Sequence, residues 1–424
     1  MTSTPTAPAP LLPAPQDGGC PFSPPSVYTD AARTGTVTRA TLLDGSSCWL
    51  VTGYQEVRTV LSDRRFSADA RRPEFPFFVP GRREIAVANP NFLRLDDPEH
   101  ARLRRMVTGD FLVKRVEAMR PEIQQIVDDA IDRMTASGST ADLVTRYALP
   151  VPSLVICLLL GVPYEDRQLF QDLSRVLISS TATTPEVSRA QQELLDYLGG
   201  LAAQKRHRPG NDILSRLVAR DDLSLREIAS TGLLLLVAGH ETTANMIALS
   251  TLLLLRHPEQ AARLADPAAV PGAVEELLRH LTIIHTGLPR LAVEDVELGG
   301  TPIRAGDGVV AMLSTANRDE ELFGPPGTRP VDELDLDRDA RRHLAFGFGV
   351  HQCLGQPLAR AELQIALETL FRRLPTLRLA GTGAGSSAGT ESSAGTGTGT
   401  HADTTPAFRT ESLISGLREL PVTW

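Results

Sequence analysis

The most specific segment of the chain reads Phe346-Gly347-Phe348-Gly349-Val350-His351-Gln352-Cys353-Leu354-Gly355. A helical pattern follows over about residues 357–373, which predicts Cys353 at the N-terminus of a helix. Backbone N–H groups and the helix dipole at such a position stabilise a thiolate over a thiol. Gly349 and Gly355 are expected to let the backbone pass close to a flat cofactor. These are the features that an iron-ligating thiolate requires.

A second region predicts one long apolar helix from Ser224 to His257. Ser224 and Glu227 have the spacing of a capping box, and Pro258 ends the pattern. At about 1.5 Å per residue this helix would be roughly 50 Å long and would cross the whole molecule. Its middle carries small and polar residues within an apolar run, in the order Ala238-Gly239-His240-Glu241-Thr242-Thr243.

The polar residues of that run are candidates for catalysis. A buried polar cluster is costly unless its groups are satisfied, so an acid beside a hydroxyl calls for an explanation. Glu241 and Thr242 are suited to relaying protons, and Gly239 would open the helix groove to small molecules such as water. The alternative is a kink in which the threonine bonds a backbone carbonyl. The motif by itself does not exclude that alternative.

Two further pairs have the spacing of one helix face. Glu276 and Arg279 are three residues apart, and on their own would be typical of a surface ion pair. His100 and Arg104 are four residues apart, and on their own would be typical of a solvated basic helix. Both members of the second pair carry donors suited to carboxylates.

The pattern F-x-x-G-x-H-x-C-x-G closely resembles the haem-binding loop of the cytochrome P450 superfamily. The other motifs occur in the family's order between Val27 and Arg378. The resemblance implies haem b as cofactor, with Cys353 as the axial ligand of its iron. It also implies that Glu241 and Thr242 are catalytic residues that activate O₂, the co-substrate.

The remaining motifs match the family as binding or structural elements. The resemblance implies that Glu276 and Arg279 form the structural E-x-x-R pair, which ties its helix to the chain leading into the cysteine loop. It further implies that the haem propionates are bound by His100, Arg104, Arg290 and His351.

The fold implied by the resemblance is mainly α with a small β portion, and the haem lies between the long central helix and the cysteine-loop helix. The implied activity is that of a monooxygenase, which inserts one oxygen atom from O₂ into an organic substrate by hydroxylation or epoxidation. Several details resemble actinobacterial members that tailor secondary metabolites, such as a polyketide or macrolide, or that oxidise xenobiotics. A small apolar-to-amphipathic substrate is expected, in a pocket lined by residues 71–91, 173–186 and 283–288.

A fused reductase domain is not expected from the sequence, so the resemblance implies electrons from NAD(P)H through a ferredoxin reductase and a ferredoxin. Two other classes of function stay open. One is a non-catalytic haem-fold protein that activates another enzyme, although such relatives tend to lack the cysteine. The other is an O₂ or redox sensor, which would normally need an output domain.

The domain organisation predicted from composition is simple. Residues 1–25 are Pro-rich and predicted to be disordered or extended, and residues 26–424 are predicted to form a single domain. A flexible Gly/Ser/Thr loop is predicted at about residues 381–405. Residues 48–52 and 308–312 read as strands of a small sheet that joins distant parts of the sequence, and residues 417–424 read as a final strand or a turn over the core.

Charge and composition exclude several classes of function. The 43 Lys and Arg residues against 51 Asp and Glu residues give a net charge of −8, so no overall positive field would attract nucleic acid. The N-terminus lacks the pattern of a signal peptide. The apolar segment 228–255 carries charged and polar residues at its middle, which favours a buried helix over a membrane span. A cytoplasmic protein without a membrane partner is therefore expected.

Overall fold

The computed structural model describes residues 9–16, 20–381 and 406–424 of the protein. The predicted loop at 381–405 lies, beyond Gly381, outside the described residues, as do residues 1–8 and 17–19. The α-helices are α1 (Ser26–Thr34), α2 (Tyr54–Ser62), α3 (Arg82–Ala88), α4 (Glu99–Thr108), α5 (Val113–Thr135), α6 (Pro150–Leu160), α7 (Arg167–Ile178), α8 (Thr184–Lys205), α9 (Ile213–Val218), α10 (Leu225–Arg256), α11 (Pro258–Ala261), α12 (Val270–Leu281), α13 (Leu313–Ala316), α14 (Glu320–Phe323) and α15 (Gln356–Arg373).

The strands are short, and six of the thirteen in the described residues belong to one sheet. Their bounds are β1 (Leu11–Leu12), β2 (Val37–Leu42), β3 (Ser47–Val51), β4 (Phe66–Ser67), β5 (Thr140–Asp142), β6 (Leu288–Ala292), β7 (Val296–Leu298), β8 (Thr301–Ile303), β9 (Gly308–Ala311), β10 (Arg378–Leu379), β11 (Ala407–Phe408), β12 (Leu417–Glu419) and β13 (Pro421–Thr423).

The largest sheet has the strand order β1-β2-β3-β9-β6-β4. Its parallel pair β3 and β9 aligns Trp49 with Val309, so the sheet joins distant parts of the chain as the sequence predicts. Of the strand and the turn predicted for the C-terminal residues, the strand is observed, because β13 lies between β10 and β5. The mainly α fold with a small β portion is thus confirmed.

Helix α10 forms because its N-terminus is capped and almost its whole surface is apolar. The Ser224 side chain accepts a hydrogen bond from the backbone N–H of Glu227, and the Glu227 carboxylate accepts one from the Ser224 N–H. The helix packs against α6, α8 and α15, and a helix that is apolar all round is normally a buried one. Among the described residues it is the one helix long and apolar enough to cross a membrane, and 72% of its most apolar window is buried inside the protein.

Of the two states predicted for the N-terminal residues, Leu11–Leu12 adopts the extended one, because it pairs with β2 in parallel. Leu12 is fully buried, and the backbone N–H of Ala14 donates to the hydroxyl of Tyr28 at 2.6 Å. Phe22 is also buried and makes an edge-to-face contact with Phe408. Composition alone suggested too little apolar surface for order, but these few side chains complete cores that the rest of the fold already provides.

Candidate active site

A cavity of about 440 Å³ lies between α10 and the segment that leads into α15. Cys353 and Gly355 line it on one side, and Ala238 and Thr242 line it on the other. The rest of the wall is mostly apolar and includes Phe92, Leu93, Phe111, Ile156, Ile178, Leu234, Leu235, Val237, Ile283, Ile284, Leu288, Phe346, Leu354, Leu358 and Ile414. The space between the long helix and the cysteine-loop helix is therefore present where the sequence predicts it.

The loop before α15 presents Cys353 to this cavity. The backbone N–H of Cys353 donates to the carbonyl of Phe346 at 2.8 Å, which closes the loop. Gly349 has a φ of 73°, and a Cβ atom there would lie 2.4 Å from the carbonyl oxygen of Leu61. Gly349 is therefore required by its neighbour α2, which corrects the expectation that it approaches a cofactor. Among the described atoms nothing lies within 4 Å of a Cβ built at Gly355, so Gly355 remains suited to that role.

The Cys353 thiol opens onto the cavity while protein encloses the cavity itself. Burial raises the pKa of this thiol, and the N–H groups of Gly355 and Gln356 and the charge of Arg104 act in the opposite direction. A metal cation bound to the sulfur would overcome the effect of burial, because a coordinating thiol is deprotonated outright. The donors around Cys353 are thus those that suit a metal-bound thiolate.

The predicted propionate ligands, two arginines and two histidines, form a cluster beside Cys353. Arg104 and His351 line the cavity, and burial lowers the pKa of His351 to about 3, with Arg290, His100 and Arg104 adding to the effect. Burial also lowers the pKa of Arg290 to about 10. Among the described residues, neither Arg104 nor Arg290 forms an ion pair; they donate to the carbonyls of Gln352 and Pro289. The structure therefore brings all four predicted donors together.

Unpartnered atoms show what this cluster is suited to bind. The rings of His100 and His351 lie 4.1 Å apart, and the Nε2 atom of His100 and the Nδ1 atom of His351 are buried without a hydrogen-bond partner among the described residues. The other ring nitrogen of His100 lies 2.9 Å from the Asp97 carboxylate. Buried cations without an anion are costly, and two carboxylates would relieve that cost. The donor set fits a flat cofactor that carries two carboxylates beside a thiolate-bound metal, as haem does.

On the opposite wall, Thr242 faces the cavity and its hydroxyl donates to the carbonyl of Ala238 at 2.7 Å. This hydrogen bond is the one that the alternative interpretation predicts, in which the threonine bonds a backbone carbonyl. Helix α10 is nevertheless unbroken here. A Cβ at Gly239 would lie 2.9 Å from Ile156, so this glycine lets α6 approach α10 closely.

Glu241 is fully buried but lies outside the cavity wall, so the structure does not bring it into contact with Thr242. Its Oε2 atom accepts a hydrogen bond from Arg409 at 3.0 Å. Its Oε1 atom lies 3.7 Å from the Nε2 atom of His240. Glu241 and Thr242, the expected acid and hydroxyl, are adjacent in the chain, but their side chains have different partners.

The Glu276–Arg279 pair lies on one face of α12 and is fully buried. It is therefore not the surface ion pair that the three-residue spacing on its own would indicate. Arg279 makes two bonds to the carboxylate, at 2.6 and 2.9 Å, and a third to the carbonyl of Val331 at 3.0 Å. Arg338 adds a bond to the same carboxylate at 3.2 Å. The pair thus connects α12 to residues 331–338, which lead toward the cysteine loop.

Several side chains near the site were not predicted. Glu362 lines the cavity from α15, one of its carboxyl oxygens has no partner among the described residues, and burial raises its pKa well above the usual range. Arg94 is enclosed beside Arg290, and burial lowers its pKa to about 10. Arg409 contacts Glu241. The only signal in the sequence was an acidic residue on the apolar face of α15, since Arg94 and Arg409 stand in segments without a motif.

The cavity wall agrees with part of the predicted pocket. Ile178, Ile283, Ile284 and Leu288 come from two of the three predicted segments. The third segment, residues 71–91, is absent from the described lining, and Phe92 and Leu93 occupy that place instead. That part of the prediction is wrong, because the preceding segment packs against the outside of the sheet and against α8.

Comparisons with known proteins agree with this geometry. The protein-family model described as Cytochrome P450 matches residues 270–379. The chain is 61% identical to Cytochrome P450-SU2 of Streptomyces griseolus and 46% identical to a pentalenic acid synthase of Streptomyces avermitilis, with 100% of each chain covered in both cases. A solved mycinamicin VIII C21 methyl hydroxylase of Micromonospora griseorubida, with mycinamicin VIII bound, is 39% identical with a TM-score of 0.86, and the match covers 98% of this chain and 100% of that one.

The fold and the site define a haem-thiolate protein. The chain belongs to the cytochrome P450 family. It is a P450 monooxygenase, an oxidoreductase that uses haem and O₂ and depends on electron transfer. Its relatives include actinobacterial enzymes from Streptomyces and Micromonospora.

Proposed function

We propose that this P450 inserts one oxygen atom from O₂ into a C–H or C=C bond of a secondary metabolite such as a polyketide or macrolide, by hydroxylation or epoxidation. The observation that carries the proposal is the cavity in which the Cys353 thiol and the Thr242 hydroxyl line one apolar space. An apolar wall suits a small apolar-to-amphipathic organic molecule. The names of two relatives, a pentalenic acid synthase and a hydroxylase solved with mycinamicin VIII, support an organic metabolite as substrate.

The proposed cofactor is haem b, with Cys353 as the axial ligand of its iron. Haem iron with a thiolate ligand supplies the oxidising chemistry, because the thiolate donates electron density that favours O–O cleavage. The propionates would be held by His100, Arg104, Arg290 and His351. The protein's own contribution is to bind and orient the substrate, to exclude water and to hold protons at Glu241 and Thr242.

Electrons are proposed to come from NAD(P)H through a ferredoxin reductase and a ferredoxin. We further propose a cytoplasmic location, with neither a membrane nor a nucleic acid as partner, consistent with the net charge of −8 and the buried position of α10. Purified protein supplied with NADPH, ferredoxin, ferredoxin reductase and ¹⁸O₂ would test the whole proposal. We expect one ¹⁸O atom in the product of a substrate selected by spectroscopic binding; absence of labelled product from every compound that binds would refute it.

The propionate assignment predicts weaker haem binding after loss of one arginine. Replacing Arg104 or Arg290 with Gln deletes a charge-assisted hydrogen bond of about 1.5–3 kcal/mol, which corresponds to roughly a ten- to hundredfold loss of haem affinity. The measurement is the rate of haem transfer to a scavenging apoprotein. Arg33→Gln is the matched control, because Arg33 forms an exposed ion pair with Asp30. Control-like haem retention in both variants would contradict the assignment.

The proton-relay assignment predicts uncoupling in Thr242→Ala. Alanine has the better helix propensity, so folding and haem binding should be largely retained. Reducing equivalents should still be consumed, with more hydrogen peroxide released and less product formed per electron pair. Both products are measured in the ferredoxin-driven reaction. Unchanged coupling would make Thr242 a packing residue, consistent with its bond to the Ala238 carbonyl, and loss of haem would make it a structural one.

A further inference from the structure

The surroundings of Glu241 hold its carboxylate in one place. Arg409 is the charged partner of its Oε2 atom at 3.0 Å, and both side chains are almost completely enclosed. His240 faces the other oxygen with its Nε2 atom. The Nδ1 atom of His240 lies 2.7 Å from the carbonyl of Leu236 and must carry the hydrogen, so in the neutral ring Nε2 has none to offer. Burial lowers the pKa of His240, which favours the neutral ring.

Arg409 belongs to a structure that also forms part of the cavity wall. It follows β11, and its backbone N–H donates to the carbonyl of Gly416 at 2.9 Å, which closes the hairpin formed with β12. Ile414, in the same hairpin, lines the cavity. The hairpin loop is fastened to two other parts of the wall, because Leu413 donates to the carbonyl of Ile178 at 3.0 Å and Ser415 donates to the carbonyl of Ile283 at 2.9 Å.

We infer that Arg409 is a positioning residue for the proton relay. Arg409 holds the ionised Glu241 carboxylate outside the cavity, and it releases this side chain when the carboxylate takes up a proton. The inference rests on the proposed function. An arginine binds a carboxylate strongly only while the carboxylate is charged. A neutral carboxyl group loses that partner and is also the form that an apolar cavity accepts at lower cost.

The proton balance of this step is simple. Glu241 gains an O–H bond with a proton from hydronium, which becomes neutral water, and the carboxyl group then leaves Arg409. The same O–H bond breaks when the proton passes to an acceptor oxygen in the cavity beside Thr242. The carboxylate is then charged again and returns to Arg409. Because the hairpin also carries Ile414, the position of Arg409 is linked to the wall that a substrate touches.

The charged and titratable groups around Glu241 come from three elements. His240 lies on α10, Arg409 lies on the hairpin, and Arg175 on α7 acts on His240. Of these, Arg409 is the one within hydrogen-bonding distance of the carboxylate. Its removal should therefore change the ionisation of Glu241 more than any other single substitution nearby.

The experiment compares Arg409→Gln with Arg409→Lys and Arg418→Gln in the haem-loaded full chain. Arg418 is a matched control, because it lies in the same hairpin and forms a partly exposed ion pair with Glu411. Infrared difference spectra over a pH series report protonated carboxyl groups, and the signal that disappears in Glu241→Gln belongs to Glu241. We expect Arg409→Gln to raise the proton affinity of Glu241 by at least about tenfold, which moves the midpoint by about one pH unit. Arg409→Lys keeps the charge and should restore the wild-type midpoint, and Arg418→Gln should not move it.

Turnover provides the second readout. With haem content unchanged, Arg409→Gln should form less product per electron pair and consume more reducing equivalents without substrate, whereas Arg409→Lys should recover most of the coupling. An unmoved infrared midpoint in Arg409→Gln, or equal effects of the Gln and Lys variants, would overturn the inference. Failure of the wild-type protein to oxygenate any substrate would instead refute the proposed function, since the infrared midpoint is measured without turnover.

Discussion

Cys353→Ser should lose the strongly red-shifted Soret band that the ferrous carbonyl complex of the wild-type protein is expected to show. The band requires electron donation from a thiolate, and a serine hydroxyl does not supply it. The loop itself should survive, because its closing bond runs from the backbone N–H of residue 353 to the carbonyl of Phe346. Absorption spectra of the reduced protein with carbon monoxide are the measurement, and monooxygenase activity should be lost together with the band.

The control is Cys20→Ser, which changes an exposed cysteine outside the cavity wall. This variant should keep both the shifted band and the activity. A shifted band that persists in Cys353→Ser would mean that another residue ligates the iron, and the assignment of the site would fail. Loss of haem from Cys353→Ser without a change in the overall fold would still agree with ligation by Cys353.

Local signals in the sequence explain what could be predicted. The capping box at Ser224 and the stop at Pro258 place α10 to within a residue of its observed bounds, because both act on neighbouring backbone groups. The position of Cys353 could be predicted equally well, since its spacing from the following helix places it at the helix N-terminus. The cluster of Arg104, Arg290 and His351 came from the family resemblance, as no local rule joins residues so far apart in the chain.

The features that escaped prediction depend on contacts between distant segments. Glu241 and Arg409 are separated by 168 positions, and nothing in the sequence around Arg409 indicates a buried partner. Leu12 belongs to a sheet because its strand pairs with β2, although the composition of its own segment predicts a disordered or extended chain. The sequence left two candidate roles for the Thr242 side chain, proton relay and bonding to a backbone carbonyl. Its bond to Ala238 is compatible with both roles, and removal of the hydroxyl distinguishes them.

Glu276→Gln should destabilise the protein by about 3–5 kcal/mol, because removing one partner of a buried ion pair leaves the other charge uncompensated. The substitution retains the shape of the side chain while the buried guanidinium groups of Arg279 and Arg338 lose their anion. The loss of unfolding free energy is measured by chemical denaturation of the haem-loaded protein. Since these contacts join α12 to the segment before the cysteine loop, haem should also dissociate faster.

Glu117→Gln is the matched control for this prediction. Glu117 and Arg120 have the same three-residue spacing on a helix, but both are partly exposed, and such pairs contribute only about 0–1 kcal/mol. The two variants make the same chemical change, so the difference between them isolates the effect of burial. Equal denaturation midpoints for Glu276→Gln and Glu117→Gln would show that the buried pair does not hold the cysteine-loop segment in place.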